Sequence, residues 1–174
     1  YNNANNLEDD LARMQVYGAP LVEDDHGDSI GGASAFESSR DGTQLSLAAR
    51  GVVHTRDDQD VFSLIAGAGP LNLSLTPAPS APNLDIEARL LDASGNELAR
   101  SNPESALDAA ISVNVAAGEY FLVVDGVGKG DPLGTGYTDY ASLGNYSIAG
   151  FASDPGGIMP PIAVATAPNY VASI

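Results

Sequence analysis

The sequence predicts an all-β protein: an antiparallel β-sandwich of jelly-roll-like type, with about eight strands and a short N-terminal helix. Beyond residue 43, apolar and polar residues alternate with a period of two, as in LNLSLT (71–76) and LDIEARLL (84–91). Such strands have one face in a core and one in water. Nineteen glycines and eleven prolines supply turns between short strands. Together these features favour two packed sheets over a helical fold.

The helix is predicted within NNLEDDLARMQVYG (5–18), where Leu7, Leu11 and Met14 recur at helical spacing. Asn6, near the start of this stretch, is the candidate capping residue, and Gly18 with Pro20 ends the helix. The strands are predicted from the alternation of apolar and polar residues, and each is bounded by turn residues. We predict strands over 45–53, 61–66, 71–76, 84–91, 111–116, 119–126 and 145–151. In the strand over 84–91, the even-numbered residues are expected to face the core and Asp85 and Glu87 to face water.

Composition excludes several classes of function. A formal net charge of −16 disfavours nucleic acid and anionic membrane surfaces as partners, because the chain has too few cations to replace their counterions. No apolar run is long enough for a membrane span. The absence of cysteine excludes disulfides, thiolate metal sites and cysteine nucleophiles. HExxH does not occur and no pair of carboxylates is singled out as catalytic, so we expect no enzymatic activity from this chain.

Two acidic clusters are the candidate functional feature. EDDHGD (23–28) precedes the first strand, and RDDQD (56–60) leads into a central one. Carboxylate oxygens without cysteine are ligands that suit Ca²⁺. If the two segments lie side by side, they can close around one ion. The alternative is that both runs are simply solvated loops, which is common in acidic proteins.

An ordered series of segments resembles the bacterial pre-peptidase C-terminal domain. The series comprises DDHGDSIGGA, GVVHTRDDQDVFSL, PNLDIEARLLDASGNELARS, AAGEYFLVVDGVG and SLGNYSIAGF. The resemblance implies a β-sandwich of jelly-roll type that is appended to secreted peptidases and is commonly removed during maturation. It covers about residues 23–152, which we predict to be the domain.

The flanking segments resemble parts of a larger secreted protease. Residues 1–22 are similar to the junction that follows the catalytic domain of metzincin-type metallopeptidases. Residues 153–174 are expected to be a linker and the start of an immunoglobulin-like or polycystic-kidney-disease-type module. The chain is therefore expected to be an internal part of a bacterial precursor that acts outside the cell.

The resemblance also implies a calcium site. The collagen-binding domains of clostridial collagenases are similar and bind calcium through an acidic N-terminal segment and a D-x-x-D before a strand. When these motifs are matched to this sequence, one group of ligands falls before the sandwich and the other at the start of a central strand. Gly27 stands at a position where the similar domains commonly have an asparagine. The predicted calcium ligands are Glu23, Asp25, Asp28, Asp57 and Asp60.

The function that follows is a non-catalytic, calcium-binding accessory domain of a secreted metallopeptidase, with a structural, substrate-anchoring or maturation role. Expected partners are an insoluble protein or polysaccharide substrate, or the parent catalytic domain, and the chain is expected to be a monomer. The collagen-binding aromatic patch of the similar domains is not evident. The alternative is a calcium-dependent carbohydrate- or matrix-binding module of an adhesin or glycosidase, for which Tyr137 and Tyr140 are the candidate exposed aromatics.

Overall fold

The computed structural model describes residues 9–156, which form two five-stranded sheets packed face to face. The predicted all-β sandwich with one short helix is confirmed. No helix in the described range is long and apolar enough to span a membrane. The elements in chain order are α1 (Asp10–Val16), β1 (Ser34–Ala35), β2 (Glu37–Asp41), β3 (Gln44–Val53), β4 (Gln59–Ala66), β5 (Gly69–Pro77), β6 (Ile86–Asp92), β7 (Glu97–Ser101), β8 (Ala109–Val115), β9 (Gly118–Gly126) and β10 (Gly144–Ser153).

Four longer strands form the body of each sheet. The first sheet has the order β1-β4-β9-β6-β7 and the second has the order β2-β3-β10-β5-β8. All pairs are antiparallel except β1 with β4. The core lies between the sheets and is built from the inward residues of both, including the rings of Phe36, Phe62 and Tyr146.

The predicted alternation holds through β5 and β6. Leu84, Ile86, Ala88 and Leu90 are buried in the core, as the period of two requires. Asp85 differs from the prediction, because it is only 2% exposed although it faces away from the core. The loop that follows β9 folds over it, and the hydroxyl of its Tyr137 donates a hydrogen bond of 2.6 Å to Asp85 Oδ2.

The helix is shorter than the sequence pattern predicts. Within the described residues it begins after Asp9, whose carboxylate caps it by accepting from the backbone N–H groups of Leu11 and Ala12 at 3.0 and 3.3 Å. Residues 5–8 of the predicted helix lie outside the described range. None of its residues is buried, and its start is joined to the rest of the molecule through Tyr140, whose hydroxyl donates to Asp9.

The chain that leads into β1 crosses the outer face of the first sheet. It runs from Gly27 through a short 3-10 helix, Ile30–Gly32, to β1. The carbonyl of Gly27 accepts from Val61 N at 3.2 Å, so the crossing starts against β4. This crossing segment, residues 27–35, covers a second buried apolar cluster, to which it contributes Ala33. The cluster consists of Val61, Leu91, Phe121 and Val123.

Truncation of a central core residue is expected to cost far more stability than a change at its neighbour. Leu73 is 1% exposed in the middle of β5, so Leu73→Ala should lower the free energy of unfolding by about 2–5 kcal/mol through lost burial and a cavity. Ser74 points to the opposite, solvent-exposed face, and Ser74→Ala should change the free energy of unfolding by about 0.5 kcal/mol at most. Urea unfolding of both variants measures the difference. Equal losses would contradict the register.

Candidate metal centre

The candidate site lies at one end of the sandwich, between the end of β3 and the start of β4. These strands belong to different sheets, so the gap between them opens towards solvent at this end. The acidic segment 23–28 passes across the opening before it turns onto the outer face. Three short pieces of chain therefore converge here: the acidic segment, the loop 54–58, and the first residues of β4.

Asp60 is the deepest carboxylate of the site. It is 0% exposed, and it joins the two sheets because the hydroxyl of Tyr146 in β10 donates to its Oδ2 at 2.5 Å. Gly51 in β3 makes room for this pair, because a side chain there would overlap the Tyr146 hydroxyl and Asp60 Oδ2. The other oxygen, Asp60 Oδ1, is buried and has no hydrogen-bond partner among residues 9–156. A buried carboxylate oxygen without a partner is costly unless a cation or water satisfies it.

Asp58 is the second buried carboxylate. It is 3% exposed, and its Oδ2 accepts from the backbone N–H of His54 and from the ring Nδ1, both at 2.6 Å. These bonds tie the carboxylate to the end of β3 and close the loop between the strands. Asp58 Oδ1, like Asp60 Oδ1, is buried and accepts no hydrogen bond from the part of the chain that the structure describes. Asp58 and Asp60 therefore each carry one buried oxygen that no donor in the described residues satisfies.

The acidic segment brings two more carboxylates to this opening. Ligand atoms of Asp24, Asp25 and Asp60 lie within 4.8 Å of one another, and so do those of Asp24, His54 and Asp58. Asp24 belongs to both groups. Asp25 is fixed by Val52, whose backbone N–H donates to its Oδ1 at 3.2 Å.

His26 and Gly27 hold the acidic segment in place. The His26 Nε2 atom lies 2.7 Å from the carbonyl of Arg50, which can only accept, so Nε2 carries a proton. Nδ1 then accepts from the Ser34 hydroxyl at 2.8 Å, and the ring packs on Phe62 at 4.5 Å. A Cβ at Gly27 would lie 2.7 Å from the carbonyl oxygen of Gly32, so glycine is required by this close approach.

The structure brings together some of the residues predicted as calcium ligands. Asp25 and Asp60 meet in one group. Asp28 lies beside it and accepts from the backbone N–H of Gln59 at 3.3 Å. Glu23 is exposed and belongs to neither group, and the Asp57 side chain is 92% exposed beside Arg56.

Sequence reasoning did not assign Asp24, His54 and Asp58 to the site, although the structure places them in it. One signal was available for Asp58. Residues two apart at the start of a strand share a face, so Asp58 accompanies Asp60, whereas Asp57 points the other way. The chain offered no comparable signal for Asp24, because Asp25 beside it carries the same side chain.

Burial and mutual repulsion perturb the acids of the site. Burial, followed by the charges of Asp58 and Asp25, raises the pKa of Asp60 to about 7, against the opposing hydrogen bond from Tyr146. Burial also raises the pKa of Asp58 above its usual range, and the bonds from His54 oppose this effect. The protein therefore concentrates carboxylates where their charge is unfavourable, and a cation removes that penalty.

The fold and site define a class: an all-β sandwich with an acidic cluster, at the mouth between its sheets, that can hold a metal ion. Asp24, Asp25 and Asp60 offer oxygen only, which suits hard cations, whereas the group with His54 offers a nitrogen as well.

No known protein family and no curated protein matches the chain. Among solved structures, it is similar to the pre-peptidase C-terminal domain of collagenase from Bacillus anthracis, with 18% identity, a TM-score of 0.43, and coverage of 59% of this chain and 86% of that one. It is also similar to PliG of Aeromonas hydrophila, a periplasmic inhibitor of g-type lysozyme, with 12% identity, a TM-score of 0.43, and coverage of 68% and 93%. Likenesses this distant assign no activity.

Without divalent cations, the stability of the protein is expected to fall as pH rises. Asp60 in the folded state keeps its proton until about pH 7, whereas in the unfolded chain it loses it near pH 4, so the free energy of unfolding should decrease across that interval. Asp60→Asn cannot titrate and should show a smaller decrease. Urea unfolding in EDTA at about pH 5 and about pH 8 measures both. An identical decrease in wild type and variant would contradict the placement of Asp60.

Proposed function

We propose that this chain is a non-catalytic, calcium-binding accessory domain of a secreted metallopeptidase. The observation that carries the calcium assignment is the pair of buried, unpartnered oxygens, Asp58 Oδ1 and Asp60 Oδ1, at an opening that Asp24 and Asp25 cross. The assignment to a secreted metallopeptidase is supported by the resemblance of the sequence to the pre-peptidase C-terminal domain.

Calcium fits this donor set better than other common ions. It accepts six to eight oxygen ligands in irregular geometry, and carboxylates on three different pieces of chain can supply them together with backbone carbonyls. We propose Asp24, Asp25 and Asp60 as the central ligands, with Asp58 beside them. Glu23 and Asp28, also predicted from the sequence, remain proposed as outer ligands. Asp57 is left out of the proposed set, because its exposed side chain points away from the opening.

The proposed role of the ion is structural. Four carboxylates at one opening repel one another, and a divalent cation converts that repulsion into attraction. It would also tie the acidic segment to both β3 and β4, and so fix the start of the crossing segment. A domain held in this way can act as a stable spacer or anchor beside a catalytic domain, outside the cell where calcium is plentiful.

A mixed nitrogen and oxygen site is a second candidate for the same opening. Asp24, His54 and Asp58 would favour a transition metal such as zinc, because imidazole suits zinc. The His54 Nδ1 atom already contacts Asp58 Oδ2 at 2.6 Å, and that contact must break before this nitrogen binds a metal. Calcium requires no such change, so we favour it.

Calcium is expected to stabilise the chain, and Asp60→Asn is expected to abolish that effect. A ligand that binds only the folded state adds about 2.7 kcal/mol at a hundred times its dissociation constant. Asparagine keeps the shape of Asp60 and removes its charge, so the variant should be more stable than wild type in EDTA yet gain little from calcium. Thermal melts with EDTA, calcium and zinc measure these increments.

Asp108→Asn is the matched control, because Asp108 is exposed and distant in sequence from the opening. It makes the same change of charge and should keep the full calcium increment. Equal melting temperatures with calcium and with EDTA would refute the calcium site. A larger increment with zinc, lost in His54→Ala, would instead establish the mixed site.

The isolated chain is expected to cleave no protein substrate. Within residues 9–156, the buried carboxylates of the site bond to Tyr146 and His54. The Ser34 hydroxyl bonds to His26, but Nε2 of that histidine is bonded to the carbonyl of Arg50, so we assign the pair to holding the acidic segment and not to catalysis. Incubation with casein and gelatin, followed by electrophoresis, tests this. Metal-dependent cleavage that disappears in Asp60→Asn would overturn the non-catalytic assignment.

A further inference from the structure

A polar groove lies on the outer face of the first sheet, beside the candidate metal centre. It has a volume of about 550 Å³, within the range of ligand-binding clefts. Its floor is a cross-strand pair, in which Gln59 Nε2 donates to Asp125 Oδ2 at 2.5 Å. One wall is the loop that carries Arg56 and Asp57, and the other is the long loop after β9, including Tyr137.

Tyr137 is held rigidly at the edge of this groove. Its backbone pairs with Lys129 through two hydrogen bonds of 2.8 Å, and its hydroxyl donates to the buried Asp85. Tyr137 as a whole is nevertheless 42% exposed. A ring fixed at both ends and open to solvent provides an apolar surface at little cost in entropy.

The charges of the groove are mixed. Arg56 and Lys129, the single lysine of the sequence, lie among the carboxylates of Asp57, Asp125 and Asp139. Arg56 bridges the two walls, with its Nη2 atom 3.3 Å from Asp139 Oδ1. A strongly charged ligand would meet repulsion from one set or the other, whereas a neutral ligand rich in hydroxyl groups can donate to the carboxylates and accept from the cations.

The apolar content of the groove is too small for a protein partner. Val127 and Tyr137 are its large apolar lining residues, and protein interfaces depend on a buried apolar or aromatic centre. A sugar ring needs less, because one aromatic face covers its apolar side and polar groups bind its hydroxyls. We propose that this groove binds a segment of a neutral polysaccharide.

The groove and the metal centre share one strip of chain. From residue 57 to residue 60, successive side chains lie on opposite sides, so Asp58 and Asp60 are buried at the metal centre while Asp57 and Gln59 line the groove. An ion that fixes Asp58 and Asp60 therefore also orders this wall of the groove. The expected effect of calcium on sugar binding rests on the proposed calcium site, whereas the groove itself does not.

Isothermal titration of the full chain with cellohexaose, chitohexaose, maltohexaose and xylohexaose tests the proposal. At least one should bind in calcium, and more weakly in EDTA. Asp57→Ala and Asp125→Asn should each weaken that binding about tenfold, the value of one hydrogen bond to a charged group. Asp57 is highly exposed, so its variant should keep the wild-type melting temperature. Asp108→Asn should bind as wild type does.

The outcomes separate the two proposals. A chain that calcium stabilises but that binds none of the four sugars overturns the groove and leaves the calcium site standing. Sugar binding that Asp57→Ala and Asp125→Asn leave unchanged also overturns the groove. Binding that both variants weaken, in a chain that calcium does not stabilise, supports the groove and refutes the calcium site. Binding of a collagen-like peptide in place of sugars, lost in the same variants, overturns the polysaccharide assignment.

Discussion

The contact on which the rest depends is the hydrogen bond from Tyr146 to Asp60 across the mouth of the sandwich. It places a carboxylate at 0% exposure between two sheets, in a position that an apolar residue would fill at less cost. Gly51 must be small to admit it, and Asp58 must be anchored by His54 beside it. Burial of charge without full compensation is more typical of a binding site than of a structural core.

The alternation of apolar residues was sufficient to predict the sandwich, because a period of two is a local property of a half-buried strand. It predicted the buried face of β5 and β6 correctly. It missed β1, β2 and β7. The sequences of β2 and β7, ESSRD and ELARS, are largely exposed and lack a continuous apolar face. These strands form through pairing with a neighbour, and pairing leaves little trace in a single sequence.

The acidic runs predicted which segments lie near each other but not which carboxylates share the opening. The set predicted from the sequence includes Asp25 and Asp60, which the structure places in one group, but not Asp24 or Asp58. Within a short loop, the direction of each side chain is set by contacts from elsewhere in the chain, here the bonds of His26 to Ser34 and Arg50. Asp85 shows the same limit, since only the fold of the distant loop around Tyr137 buries it.

The crossing segment also protects an edge. Without β1, β4 would be the edge strand of the first sheet. The sequence of β4, QDVFSLIA, is apolar enough to attract another chain. Two residues of β1 and the carbonyl of Gly27 occupy part of that edge. An open, apolar edge strand is a template for intermolecular pairing. A form of the protein trimmed between residues 27 and 35 would therefore keep most of its core and yet be prone to aggregate.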